Sequence, residues 1–114
     1  TRGEKHRALI ARSLVQDAEV YIMDDPIVAV DEESINIIVE VLQELRHKKK
    51  TVIVSHHDFV TIPRYFDMAA LLNVRLIDMG ETDKVLTEEN FEKAYGLSAG
   101  MIKNIRLHME KNHA

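Results

Sequence analysis

Three carboxylates, Asp24, Asp25 and Asp31, fall within one short stretch, Val20-Tyr-Ile-Met-Asp-Asp-Pro-Ile-Val-Ala-Val-Asp31. Four apolar residues precede the first two, and Pro26 follows them. A short apolar run closed by proline reads as a buried strand. Asp24 and Asp25 then stand at its C-terminal end, the edge at which open α/β sheets bind ligands. Two anionic groups on a rigid strand end suit a hydrated Mg2+ and an attacking water. A strand followed by a plain acidic turn fits this stretch as well, since short motifs match by chance. A second run, Thr51-Val-Ile-Val-Ser55, is β-branched almost throughout and leads into His56-His57-Asp58. If the two strands are parallel, His56 shares a sheet edge with Asp24 and Asp25. Adjacent side chains on an extended segment point apart, so His57 reads as a surface residue. The six histidines show no spacing that makes a zinc site.

The elements that must position these groups follow from periodicity. Apolar residues at 8, 11, 14 and 15 predict a helix from about Glu4 to Val15. The first strand then runs from Glu19 to Asp24. Asp31 is a good N-cap for the longest helix, with Glu32 and Glu33 at the positive end of its dipole. Ile35, Ile38, Leu42 and Leu45 form its buried stripe. The basic run Arg46-His-Lys-Lys-Lys50 suits a helix C-terminus better than a nucleic acid. Strand, long helix and strand make a right-handed crossover with parallel strands. A short helix, irregular around Pro63, is expected between Asp58 and Tyr65. A third strand covers Met68–Asn73, and a fourth covers Val74–Gly80 after a tight turn. Thr87 caps a helix that ends near Tyr95-Gly96. Ser98 to Asn112 reads as a final amphipathic helix.

The chain has 114 residues, enough for one small domain, and its net charge of −4 argues against a general nucleic-acid binder. It has no cysteine, which excludes disulfides and thiolate metal sites. No apolar run approaches the ~20 residues of a membrane span, and no signal peptide is visible. The first residue is Thr, which suits a chain that begins inside a longer protein.

The order of these features resembles the C-terminal half of an ABC transporter ATP-binding domain, from Thr1 to about Gly96. Thr1-Arg-Gly-Glu-Lys-His-Arg7 sits where that family has its signature, S-G-G-Q-x-Q-R. Val20 to Pro26 resembles Walker B, Val28-Ala-Val-Asp31 the D-loop, and Val54-Ser-His-His57 the switch-histidine segment. Tyr65 to Asn73, Thr82 to Thr87 and Ala94-Tyr-Gly96 are most similar to ATPase subunits of zinc, manganese and iron-chelate importers. The resemblance implies an α/β fold: a partial P-loop NTPase-type parallel sheet lacking the phosphate-loop strand, with flanking helices and a C-terminal helix. It divides the chain into residues 1–96, part of the ATP-binding domain, and 97–114, a helical extension. It implies ATP and Mg2+ as ligands, both only with a complementary phosphate-loop half. Asp24 would hold Mg2+ through water, Asp25 would polarise the attacking water, and His56 would contact the γ-phosphate. Asp31 would couple two nucleotide sites across a dimer, and Thr1, Arg2 and Gly3 would face the partner's ATP. The implied partners are an ABC permease and a second ATPase subunit or N-terminal half. The implied place is cytoplasmic, at the inner face of the membrane.

Five departures bear on activity. The chain holds no G-x-x-x-x-G-K-[ST] phosphate loop. Asp25 stands for the family's Glu, one methylene shorter, and a ~1 Å misplacement can cost ~100-fold in rate. Arg2 replaces a signature glycine, Glu4 replaces Gln, and Ile27 and Val28 replace polar D-loop residues. The chain alone is therefore expected to be inactive. The alternative is a non-catalytic interaction module, or a decayed remnant, that binds a permease or a complementary ATPase half.

Overall fold

The structure, a computed structural model, describes residues 2–27, 31–96 and 107. It divides into two compact units with the boundary between His57 and Asp58, where the length alone suggested one domain. The fold is α/β, as expected, and carries a parallel strand pair. Among the described residues the strands form two sheets of two strands each.

The first unit begins with α1 (Arg2–Leu14), then β1 (Val20–Met23), α2 (Glu32–His47) and β2 (Thr51–Val54). β1 and β2 are parallel and in register from Val20↔Thr51 to Met23↔Val54. Alternation along this ladder separates two faces. Tyr21, Met23, Val52 and Val54 turn inward, and Tyr21 is 5% exposed. Ile38, Leu42 and Leu45 are the buried residues of α2. Val20, Ile22, Thr51 and Ile53 turn outward, and Ile22 is 78% exposed.

The ends of α2 are closed by its own sequence. Asp31 is the N-cap: Oδ1 accepts from the Ser34 amide at 2.7 Å and Oδ2 from the Ser34 hydroxyl at 2.9 Å. Gly3 of α1 lies against this cap, where an added Cβ would sit 3.0 Å from Ser34 Oγ and 3.1 Å from Asp31 Oδ2. Any side chain here would press the Ser34 and Asp31 oxygens aside by a few tenths of an ångström. At the other end the Lys49 amide donates to Arg46 O and the Lys50 amide to Leu45 O, with Lys49 left-handed at φ 62°. This is the Schellman closure, with lysine where glycine is usual. Lys50 then turns back to Asp17 and Glu19, 3.3 Å from each. These carboxylates, Glu19 before Asp17, hold the ammonium above its usual pKa. The contribution of the charged ammonium is therefore fully present at neutral pH and is lost as pH rises through that raised value.

The Ser34 amide, then its hydroxyl, hold the Asp31 carboxyl below its ordinary value. A carboxyl whose folded value is depressed contributes fully above its unfolded value and loses that contribution as pH falls through the folded one. The Ser34 amide should therefore keep its exchange protection down to about pH 4 and lose it in more acid solution. In Asp31→Asn the protection should no longer follow pH in that range. Amide exchange measured by NMR between pH 2 and pH 6 checks this.

The second unit holds α3 (Ile62–Tyr65), β3 (Met68–Asn73), β4 (Arg75–Glu81), α4 (Thr82–Val85) and α5 (Glu88–Tyr95). β3 and β4 form an antiparallel hairpin around Val74, left-handed at φ 63°. Ile62, Leu71, Val85, Leu86 and Phe91 make the core, with Phe59, Phe66, Ala69 and Ile77 packed on it. Phe59 lies 5.0 Å from Phe91 and 5.4 Å from Tyr95, ring centre to ring centre. Thr87 caps α5 by accepting from the Asn90 amide, and Gly96 closes it at φ 60°. Asn90 Nδ2 donates to Asp78 and to the Val85 carbonyl, tying α5 to β4 and α4. The helix expected over Ser98–Asn112 falls outside the described residues, Leu107 excepted. Among the described residues no helix is long and apolar enough to cross a membrane.

Candidate functional site

The candidate site lies at the C-terminal ends of β1 and β2. The ladder continues one step past its last pair, with the Ser55 amide donating to the Met23 carbonyl at 3.1 Å. Asp24 and Ser55 therefore stand opposite each other on the outward face. The Ser55 hydroxyl donates to Asp24 Oδ1 at 2.5 Å. Ser55 Oγ in turn accepts from the Asp25 amide at 2.7 Å. Asp25 is left-handed, φ 46°, a conformation that aspartate tolerates better than most residues with a side chain. This turn takes the Asp25 side chain to 3.9 Å from His57 Nε2, an ion pair when His57 is protonated.

A second contact reaches the turn from α1. His6 Nε2 lies 2.6 Å from the Pro26 carbonyl. A carbonyl only accepts, so Nε2 carries the proton. Arg2, Lys5, His6, Leu9, Asp24 and Asp25 line an open cleft of about 400 Å³. Two cations thus face two carboxylates across it.

The structure places the expected site residues as follows. Asp24 is exposed and Asp25 half-buried, side by side at the end of β1. His56 is half-buried, while the exposed His57 is the imidazole that reaches Asp25. Alternation explains the difference: odd positions of β2 share the outward face with Asp24, and His56 has the opposite parity. Arg2 is exposed at the start of α1, and Gly3 is buried against the α2 cap. Both oxygens of Asp31 accept from Ser34. Thr1 and residues 28–30 lie outside the described residues. Ser55 and His6 were not singled out by sequence reasoning, and His57, read as a surface residue, is exposed and lies 3.9 Å from Asp25. The two strands have equal length, and extending their in-phase register by one step would have found Ser55.

The groups around Asp24 are oxygen donors, two carboxylates and a hydroxyl. They suit a hard cation such as Mg2+, which binds through one or two carboxylates and keeps several waters. Among the described residues no three His, Cys, Asp or Glu side chains gather into a metal-binding cluster.

Known proteins were compared with this chain by sequence and by structure. No family model matches the chain. The manganese transport system ATP-binding protein MntB of Bacillus subtilis is 45% identical over 94 residues, 82% of this chain and 38% of that protein. The zinc transport system ATP-binding protein TroB of Treponema pallidum is also 45% identical, over 82% of this chain and 35% of its own length. The chain thus spans less than two-fifths of these relatives. A solved structure described as a metal-chelate type ABC transporter, in an inward-facing conformation, matches with a TM-score of 0.74 and 26% identity, over 85% of this chain and 39% of that one. The cbiO1 protein of Clostridium perfringens, part of the ABC transporter complex cbiONQ, matches with a TM-score of 0.65 and 27% identity, over 94% of this chain and 43% of that one. By sequence and by fold, over more than four-fifths of its length, this chain is a relative of the ATP-binding subunits of ABC transporters, matching part of each.

Proposed function

We propose that this chain supplies the water-activating and partner-facing part of an ATP-hydrolysing ABC subunit for metal-ion transport. The observation that carries the reading is the placing of Asp24 and Asp25 on Ser55 at the C-terminal end of a parallel strand pair, with His57 3.9 Å from Asp25. In this reading Asp24 holds hydrated Mg2+, and Asp25 orients and polarises the attacking water. Mg2+ supplies neutralisation of the charge on the phosphate oxygens when bound. His56 contacts the γ-phosphate, and His57, 3.9 Å from Asp25, is a second imidazole at the same strand end. Arg2 and Gly3, with Thr1, face the nucleotide of a partner subunit. The phosphate cradle comes from a complementary half, and the assembly sits on a permease at the inner face of the membrane. Residues 1–96 are the ATPase part and 97–114 an extension of it.

The test is phosphate release from MgATP, with this chain alone and with a chain bearing a phosphate loop. We expect none from the chain alone and measurable turnover from the pair. In the pair, His56→Ala should lower turnover at least about tenfold, and His57→Ala should lower it less. Turnover by the isolated chain, or none by the pair, would overturn the reading. The rival is an interaction module that binds without catalysis. The engagement of both Asp31 oxygens by Ser34 favours it, because that carboxylate serves its own helix. Stable binding of the two chains without turnover is its signature.

A further inference from the structure

We infer that Ser55 is a positioning residue that sets the two carboxylates of the site, a role that rests on the ATPase reading above. Its place is fixed by the backbone before its side chain acts. The Ser55 amide extends the β1–β2 ladder to the Met23 carbonyl at 3.1 Å, so the hydroxyl cannot drift along the strand. From there a single oxygen serves both acidic residues. It donates its one proton to Asp24 Oδ1 at 2.5 Å and accepts the Asp25 amide at 2.7 Å. A hydroxyl has one donor and two acceptor lone pairs, so both bonds form at once.

Each bond has its own consequence. The bond to Asp24 fixes the rotation of that carboxylate and engages one of its oxygens, which orients the group toward a cation's water shell. Partners that hold a ligating carboxylate in this way tune the affinity of a metal site. The bond from the Asp25 amide holds a residue at φ 46°, a region sparsely populated by residues with a side chain. That turn directs the Asp25 carboxylate toward His57 rather than along the line of β1. Ser55 thus couples the orientation of the cation-facing carboxylate to that of the water-facing one. Alanine supplies neither bond. Threonine supplies both, and its β-branch suits the end of a strand.

Ser55→Ala and Ser55→Thr test this in two measurements. On the 114-residue chain, the Asp25 amide should exchange with solvent about fivefold faster in Ser55→Ala than in the wild type, the effect of one ordinary hydrogen bond. Ser55→Thr should keep the protection. In the two-part ATPase, Ser55→Ala should raise the Mg2+ concentration for half-maximal phosphate release roughly tenfold, and Ser55→Thr should restore it. Loss of folded protein alone lowers maximal turnover and the melting temperature but leaves the Mg2+ dependence in place, and that result would overturn the proposal. Equal exchange of the Asp25 amide in wild type and Ser55→Ala would overturn it too. If the wild-type pair releases no phosphate, the ATPase reading falls, and the exchange measurement still decides whether Ser55 holds the turn.

Discussion

Asp25→Asn should lower phosphate release by the proposed two-part ATPase about 100-fold or more while leaving nucleotide affinity within about twofold. The substitution isolates the charge. Asparagine has the same shape, and it shares aspartate's tolerance of the left-handed region that residue 25 occupies at φ 46°. It retains the backbone amide that donates to Ser55. It loses the carboxylate that attracts a proton from water, and it loses the ion pair with a protonated His57. Initial rates with saturating MgATP, together with binding of a non-hydrolysable analogue, separate the two effects. Turnover within about threefold of the wild type would move the catalytic role away from Asp25. A general base at this position cannot be replaced by an amide at so small a loss.

Phe91→Ala should destabilise the second unit by about 3–5 kcal/mol. Phe91 is 1% exposed and sits at the centre of the core with Ile62, Leu71, Val85 and Leu86. Its ring also meets Phe59 at 5.0 Å, a contact that alanine removes. Domains of this size have about 5–15 kcal/mol in hand, so the variant should be largely unfolded in mild denaturant. Urea unfolding followed by the amide protection of β3 and β4 measures it. A loss under about 1 kcal/mol would mean that the core collapses around the gap. The position would then not be the keystone its burial implies.

The sequence made some features legible because they depend on neighbours in the chain. The Asp31 and Thr87 caps join a side chain to an amide three residues on, the Gly96 closure joins its amide to the Glu92 carbonyl four residues back, and all three stand where the sequence put them. β3 matches its expected bounds, β4 is shifted by one residue, and α1 begins two residues early. The parallel pairing of β1 and β2 followed from the long helix between them. The short α4 was not anticipated, because four residues carry too little periodicity to reveal a helix. The site was legible in its acids and not in their partners. Asp24 and Asp25 are adjacent in the chain, whereas Ser55, His57 and His6 reach the turn across gaps set by register and packing. Which of two neighbouring histidines lies beside Asp25 follows from strand parity. Parity is fixed only once the ladder is known to run in phase from Val20↔Thr51.

That ladder also orders the events of folding. Each of its pairs joins residues 31 positions apart, whereas the β3–β4 hairpin closes from Asn73↔Arg75 outward. Loop closure grows costlier with separation, and non-local pairings form more slowly than local ones. A hairpin zips in about 1–10 μs, while the parallel pair must wait for α2 to shorten the path between its strands. The meeting of Asp24 with Ser55 depends on that closure, so the acidic rim is expected to form after the β3–β4 hairpin.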